Sequence, residues 1–453
     1  MRISRVARLL VARGGMVYDA AMSNIRHSRW AVPALLSAAL LYFALNLWQK
    51  LGDSFAWDFG VDWTASQGMR QGISLYDPAR LGALAQQLIA DPQTQALFSR
   101  EFAGYINPPS TALLLLPFTL LSFAAALATY RLVLLIVFAA GVALAGLALP
   151  PGERRRGWLL GALGLLLLRP VIVSIQLGQV DAWVMLGLGA ALWTTARQRW
   201  IATGVGLGWA AAFKVSPALL VVYLALRGQW RAIVGAGVAG VGVFGLAAAL
   251  GRPTDLGLFL FGILPSAAKG TLYVYNQSLP AWLARLLSPE TNLIDSRISL
   301  GPWQYASVPL LLLGLGAVWL VARRAPQHPL TLSLLIPVAI LTGPVAWDHY
   351  LTWMILPLVQ MADRRAWQNM DGRWQTALMG LLVLGGVLMS IAGLVLSRTI
   401  LAQPEAVAAH WWWRPASGLG TVGALLWFAV GLILLARLAA AVPVGGERAD
   451  RVL

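Results

Sequence analysis

The sequence predicts an all-α polytopic membrane protein, and three observations lead there. Apolar residues make up 58% of the 453 and charged residues only 11%, too few polar side chains to coat a water-soluble globule. Apolar runs long enough to cross a bilayer recur between residues 30 and 441. The Arg residues collect in short segments between those runs, the pattern expected when basic residues stay on the cytoplasmic side. The net charge of +16 is therefore topology, not a nucleic-acid footprint. Absence of Cys excludes disulfides, thiolate metal sites and cysteine nucleophiles. His27, His328, His349 and His410 show no metal-ligand spacing, so no metal and no cofactor is expected.

Residues 1–29 are basic and are expected in the cytoplasm. The run from Trp30 to Trp48 has span length and no small-residue cleavage site after it, so it reads as an uncleaved first span. Residues 50–109 then form a large first outer loop rich in Asp, aromatics, Gly and Pro, and a loop of that length is commonly functional. Within it, Asp77-Pro78 predicts an N-cap and a first-turn proline opening a short surface helix to Ala90, with Leu81, Leu84, Leu88 and Ile89 on one face. Asp91-Pro92 opens a second, ending at Phe102. Residues 110–121 are apolar but too short for a comfortable span. Placing Arg154-Arg155-Arg156 in the cytoplasm makes them a re-entrant or surface half-helix before a span over 122–149. Further spans are expected near 158–173, 180–196, 201–213, 216–228, 231–250, 303–322, 329–345, 350–362, 374–396 and 417–441, about twelve in all. The whole of 30–441 is one membrane domain, and 442–453 is a cytoplasmic tail.

Polar residues beside apolar spans are costly unless they face a cavity or a partner. Five such groups stand out: Arg169-Pro170, the run Gln176 to Asp181, Lys214-Val215-Ser216-Pro217, Tyr275 to Leu279, and Trp347-Asp348-His349-Tyr350. In this topology each lies at the outer end of a span or in an outer loop, so together with the first loop they predict one site at one face.

The ordered set of motifs resembles glycosyltransferase family 87. It runs Asp58-x-x-Val61, Gly72-x-x-Leu75-Tyr76, Tyr105-x-x-Pro108-Pro109, Gly178-Gln179-Val180-Asp181, Gly208-x-x-x-Ala212-x-Lys214-x-x-Pro217, Asn276-Gln277-Ser278-Leu279 and Trp347-Asp348-His349-Tyr350. The resemblance covers roughly residues 30 to 440 and implies a mannosyltransferase-like membrane enzyme of the GT-C architecture that uses polyprenyl-phosphate sugars. Two positions depart from the family's usual pattern: Asp62 stands where an aromatic is more frequent and Asp181 where Asn is.

A sugar on a lipid phosphate already carries a good leaving group, so one carboxylate suffices to deprotonate the acceptor, in contrast to the paired carboxylates of glycosidases. Asp58 matches the family's first-loop Asp and is the expected base, with Asp62 the alternate. Charge developing on the phosphate needs cations or donors. Lys214, one of three Lys in the chain, is the first candidate, and Arg285 and Arg169 are further ones. His349, beside Asp348, is expected to orient the acceptor or contact the phosphate. Tyr105, Asn107, Gln179, Asp181, Asn276, Gln277 and Asp348 complete the expected substrate site. The segment His410 to Arg414 reads as an interfacial aromatic belt. The reading is therefore an inverting transferase of a hexose, mannose first, to a lipid or glycan acceptor at the outer face of a bacterial inner membrane. A transporter or flippase for a lipid-linked or anionic substrate is the rival, but it should carry its site near the bilayer midplane with repeats related by symmetry. A non-catalytic assembly protein would leave the Asp, Lys and His set unexplained.

Overall fold

The computed structural model describes residues 31–51, 56–89, 104–287, 298–395 and 412–441. The named elements of the described residues are all helices. The first apolar run forms α1 (Ala31–Leu51). The polar stretch expected as open loop is instead a helix, α2 (Trp57–Arg70), buried from Phe59 to Met69. Its Asp58, Asp62 and Ser66 are four residues apart, which stacks them on one face. Ser66 donates to the carbonyl of Ala112, and Trp63 and Gln67 donate to those of Phe118 and Thr119. The segment expected as a first outer loop therefore folds into the bundle and does not lie over it.

The short helix α3 (Pro78–Leu88) begins as expected: the Asp77 side chain accepts from the Arg80 amide and Pro78 opens the first turn. Leu81, Leu84 and Ile89 are buried, whereas Leu88 is exposed. Asp255 ties this region to the second half of the chain, accepting from Ser74 Oγ at 2.6 Å and the Leu75 amide at 3.1 Å. The second short helix expected over 91–102 lies outside the described residues.

After α4 (Pro109–Leu115) comes a 3-10 turn over Leu116–Leu120, and then the long α5 (Phe123–Leu147). The segment 110–121 is thus a short half-helix. Next, α6 (Arg154–Leu167) and α7 (Arg169–Leu177) meet at a 62° bend. Pro170 lacks an N–H and its ring would clash with the carbonyl four residues back, so the helix breaks at Leu168, whose ψ is 115°. The bundle continues with α8 (Asp181–Thr195), α9 (Trp200–Phe213), α10 (Ala218–Leu226) and α11 (Trp230–Leu250). Of these, α8 packs against both α5 and α9, and α9 against α11.

A helical stretch not expected from the sequence follows: α12 (Pro253–Leu258), a π turn, and α13 (Leu264–Ala267). Then come α14 (Leu279–Leu287), α15 (Ser307–Val321), α16 (Pro329–Leu341), α17 (Ile355–Gln360), α18 (Gly372–Val395), α19 (Trp413–Ala416) and α20 (Leu419–Ala440).

Among the described residues five helices are long and apolar enough to cross a membrane, and six if the bent pair is one span. Three further expected spans, near 30–48, 201–213 and 329–345, are shorter apolar helices. The clearest difference lies at 350–362, which is no span. Asp348–Met354 is a 3-10 helix and Ile355–Gln360 a six-residue α-helix, almost wholly enclosed by neighbours. That run is apolar because it fills the interior. Likewise, Trp413 is no interfacial anchor. It is buried with Leu272, Val274, Ala281, Ala284 and Leu300, while His410 and Trp411 lie outside the described residues.

Candidate active site

The polar groups converge where α2, the α7–α8 connection, the end of α9 and the 3-10 helix Asp348–Met354 meet. A left-handed Gly178 (φ 69°) ends α7 and turns the chain so that Gln179 faces Asp58. A Cβ at Gly178 would sit 2.7 Å from the Cβ of Phe59, so the absence of a side chain there allows α2 to approach. Gln179 Nε2 donates to Asp58 Oδ2 at 2.6 Å, and Gln179 Oε1 accepts from Lys214 Nζ at 3.3 Å. Lys214 follows the last residue of α9 in extended backbone. It also donates to the Tyr350 hydroxyl at 3.1 Å and lies 4.4 Å from the centre of that ring. Asp58, Gln179, Lys214 and Tyr350 form one continuous chain.

Asp62, one turn along α2, accepts from Asn107 Nδ2 at 2.8 Å. Its other oxygen is buried without a partner. Asp181 opens α8 and accepts from Ser174 Oγ at 3.0 Å. His349 stands between carboxylates: Nε2 is 4.0 Å from Asp181 Oδ2 and Nδ1 is 3.5 Å from Asp348 Oδ1. Asp348 and Arg169 both lie beside Gly393, where a Cβ would come within 3.2 Å of Arg169 Nη1 and 3.5 Å of Asp348 Oδ2. Four buried polar atoms here lack partners: Asp62 Oδ2, Asp181 Oδ1, His349 Nε2 and Arg169 Nη1. Unsatisfied buried groups are expensive, and their gathering at one place suits a site shaped for a polar ligand.

Both carboxylates of α2 lie outside the spanning helices and titrate above the ordinary range. Burial pushes Asp62 up to about 7, against the Asn107 hydrogen bond and with the repulsion of Asp58. Desolvation raises Asp58 too, opposed by His349, the Gln179 hydrogen bond and Lys214. A carboxylate so placed is a stronger proton acceptor than one in water. Among the described residues no three His, Asp or Glu side chains are grouped to hold a metal ion.

Matches to known proteins bear on this geometry. The pattern of glycosyltransferase family 87 matches residues 105–347, more than half of the chain. The chain belongs to that family. It is a glycosyltransferase. The chain is 27% identical over 369 residues to the polyprenol-phosphate-mannose-dependent alpha-(1-2)-phosphatidylinositol mannoside mannosyltransferase of Mycobacterium tuberculosis, covering 74% of this chain and 76% of the relative. The protein of the same description from Mycolicibacterium smegmatis is 27% identical over 360 residues, 73% and 75% of the two chains. Among solved structures, ArnT from Cupriavidus metallidurans bound to undecaprenyl phosphate aligns over 91% of this chain and 79% of its own at 15% identity, with a TM-score of 0.41.

The residues expected at the site divide into two groups. Asp58, Asp62, Asn107, Gln179, Asp181, Lys214, Asp348 and His349 come together as just described. Tyr105, Asn276 and Arg285 have their polar atoms engaged in holding the fold. The Tyr105 hydroxyl donates to the Pro108 carbonyl at 2.6 Å and accepts from the Ala112 amide. Asn276 Nδ2 donates to the Thr271 and Pro344 carbonyls, and its Oδ1 accepts from the Ser278 and Ala346 amides. Arg285 is 1% exposed and donates to Ser417 Oγ, the Ser417 carbonyl and the Tyr273 carbonyl. Gln277 binds the Val274 and Ser417 carbonyls through Nε2, leaving Oε1 buried without a partner. Asn276 thereby holds residues 271–278 against 344–347, next to His349, while Gln277 and Arg285 tie the same segment to Ser417. Sequence reasoning passed over Ser174 as the partner of Asp181 and Tyr350 as the partner of Lys214. The signal for Tyr350 was its place beside His349.

Proposed function

We propose that this glycosyltransferase moves a hexose, mannose first, from a polyprenyl phosphate to a lipid or glycan hydroxyl at the outer face of a bacterial inner membrane, with inversion. The observation that carries the reading is the Asp58–Gln179–Lys214 chain, which joins a proton acceptor to a cation in one enclosed site. The relatives' polyprenol-phosphate-mannose dependence supports the donor class.

In this mechanism Asp58 takes the proton of the acceptor hydroxyl. The acceptor oxygen bonds to the anomeric carbon as the bond from that carbon to the phosphate oxygen breaks, and the polyprenyl phosphate departs with the electron pair. A single displacement inverts the anomeric centre. Asp58 is half-buried and can meet an incoming hydroxyl, whereas Asp62 is 1% exposed and is held by Asn107. Lys214, with Arg169 on the far side of His349, stabilises the charge that grows on the phosphate. The unpartnered Nε2 of His349 and Oδ1 of Asp181 bind sugar or acceptor hydroxyls.

The test is transfer of radiolabelled mannose from synthetic polyprenyl-phosphate mannose into lipid extract, with purified protein and its Asp58→Asn variant side by side. Transfer by the unaltered protein alone supports both donor and base. Equal transfer by the variant moves the base to another residue. No transfer of mannose or of other polyprenyl-linked hexoses by either removes the donor assignment.

A further inference from the structure

A second polar cavity, of about 450 Å³, lies at the opposite end of the bundle from Asp58. The helix α8 connects the two ends: Asp181 opens it and Thr195, which lines the second cavity, closes it, about 20 Å away along the axis. The cavity is bordered by Arg154 at the start of α6, Arg197 after α8, His328 at the cap of α16, Gln360 at the end of α17, and Asp363 and Arg365 after it.

The charges there do not balance. Asp363 is fully buried and is taken up by Arg365, through contacts of 2.7 to 3.2 Å, and by His328 Nε2 at 3.5 Å. His328 Nδ1 accepts from the Leu330 amide, which leaves Nε2 to carry the proton toward Asp363. Burial alone would raise Asp363, yet these hydrogen bonds hold it below the usual carboxylate range, so it stays ionised and neutralises Arg365. Arg154 and Arg197 have no carboxylate partner among the described residues. Arg154 Nε reaches the Leu149 carbonyl at 3.2 Å, and the exposed Arg197 lies 4.8 Å from the centre of the Trp193 ring with 3.5 Å contacts from Nη1 to the Leu147 and Trp193 carbonyls. Both residues border the cavity. On its inner wall Gln360 is 0% exposed. Its Nε2 is fixed on the Ala145 carbonyl at 2.7 Å, while its Oε1 is buried with no donor.

We propose that this cavity binds a phosphate-bearing group that also carries a hydroxyl. The anion satisfies Arg154 and Arg197, and the hydroxyl donates to Gln360 Oε1. The volume suits a headgroup, and cationic pockets at the ends of spanning helices are placed to take one from an anionic lipid. The same chemistry is offered by free phosphate, and the test separates the two.

The full-length protein in neutral detergent micelles is unfolded by heat and followed by its tryptophan fluorescence, with dihexanoyl phosphatidylglycerol, dihexanoyl phosphatidylcholine or inorganic phosphate added. The expected result is a saturable rise of about 2–4 °C with the phosphatidylglycerol and none with the phosphatidylcholine. The rise is lost in Arg154→Gln/Arg197→Gln and reduced in Gln198→Glu, which adds an acid at an exposed position bordering the cavity. An equal rise with inorganic phosphate, lost in the same variants, supports the site and assigns it to the free anion. The proposal is overturned if neither additive shifts the transition, if phosphatidylcholine acts as phosphatidylglycerol does, or if the foldable variants respond like the unaltered protein.

Discussion

Asp58 and Gln179 lie 121 positions apart in the chain and are joined at 2.6 Å. The amide that donates to the carboxylate also accepts from Lys214, so Gln179 fixes the distance between the proposed base and the proposed phosphate contact. A carboxylate and an ammonium in direct contact would neutralise each other. An amide between them keeps both polar groups available to a substrate.

Asp58→Asn keeps an oxygen that can accept from Gln179 and removes only the basicity. The turnover number is expected to fall by about 10²–10⁴-fold, with the thermal unfolding midpoint unchanged. Asp62→Asn, which can still accept from Asn107, should lose far less. The comparison is made by initial rates at saturating donor. A larger loss at Asp62 would exchange the two roles.

The pH dependence has a definite sign. A general base works when deprotonated, so kcat/KM falls as pH drops through its raised pKa. The acidic limb should therefore lie above the ordinary 3.8 of an Asp side chain. Lys214 lowers the pKa of Asp58, so Lys214→Met should move that limb to higher pH while also lowering kcat. A limb that remains below pH 4 in both proteins would falsify the assignment of either α2 carboxylate as base.

Tyr350→Phe removes the hydroxyl that accepts from Lys214 at 3.1 Å but keeps the ring over which the ammonium sits and its stacking on Trp353. One hydrogen bond to a charged group contributes about 1.5–3 kcal/mol, and Gln179 still accepts from Lys214. We expect kcat/KM to fall by roughly tenfold, with the unfolding midpoint lowered by a few degrees at most. A loss as large as that of Lys214→Met would mean that the hydroxyl itself meets the substrate.

Asn276→Ala should act on the fold. It strands two buried amides and two carbonyls that Asn276 satisfies, and each such group is worth on the order of 1–3 kcal/mol. The unfolding midpoint should drop by about 5 °C or more, with activity per folded molecule falling less than in Asp58→Asn. Unchanged stability with lost activity would return Asn276 to the substrate site.

The helical class, the Asp77 cap and most helix positions follow from hydropathy and turn chemistry, which are local. The convergence of the Asp58, Gln179, Lys214 and His349 segments was visible as polar residues at costly positions. What escaped was long-range. That 57–70 forms a buried helix was hidden by its Asp, Gly and Ser content, although the spacing of Asp58, Asp62 and Ser66 is helical. The run 350–362 has the hydropathy of a span, and only its enclosure by other helices shows that it is interior. Asn276 and Arg285 looked like binding groups because a buried polar residue that holds backbone carbonyls has the same sequence signature as one that holds a ligand.

Gly178 separates local strain from the closeness of two segments. Its φ of 69° disfavours any side chain, and a Cβ there would also stand 2.7 Å from that of Phe59, the neighbour of Asp58. Gly72 has the same conformation, φ 66°, with nothing within 4 Å of its Cβ position. Gly72→Ala therefore carries only the left-handed penalty, on the order of 1–2 kcal/mol. Gly178→Ala adds a collision with a backbone-anchored Cβ, which cannot swing aside as the end of a long side chain can. Relief requires α2 to move from the α7–α8 turn, and that movement lengthens the Asp58–Gln179 contact. We expect Gly72→Ala to lose a few degrees of stability and Gly178→Ala more, and only Gly178→Ala to lose kcat, by roughly 10²-fold for a displacement near 1 Å. Equal activities in the two would mean that the spacing of Asp58 and Gln179 does not limit the reaction.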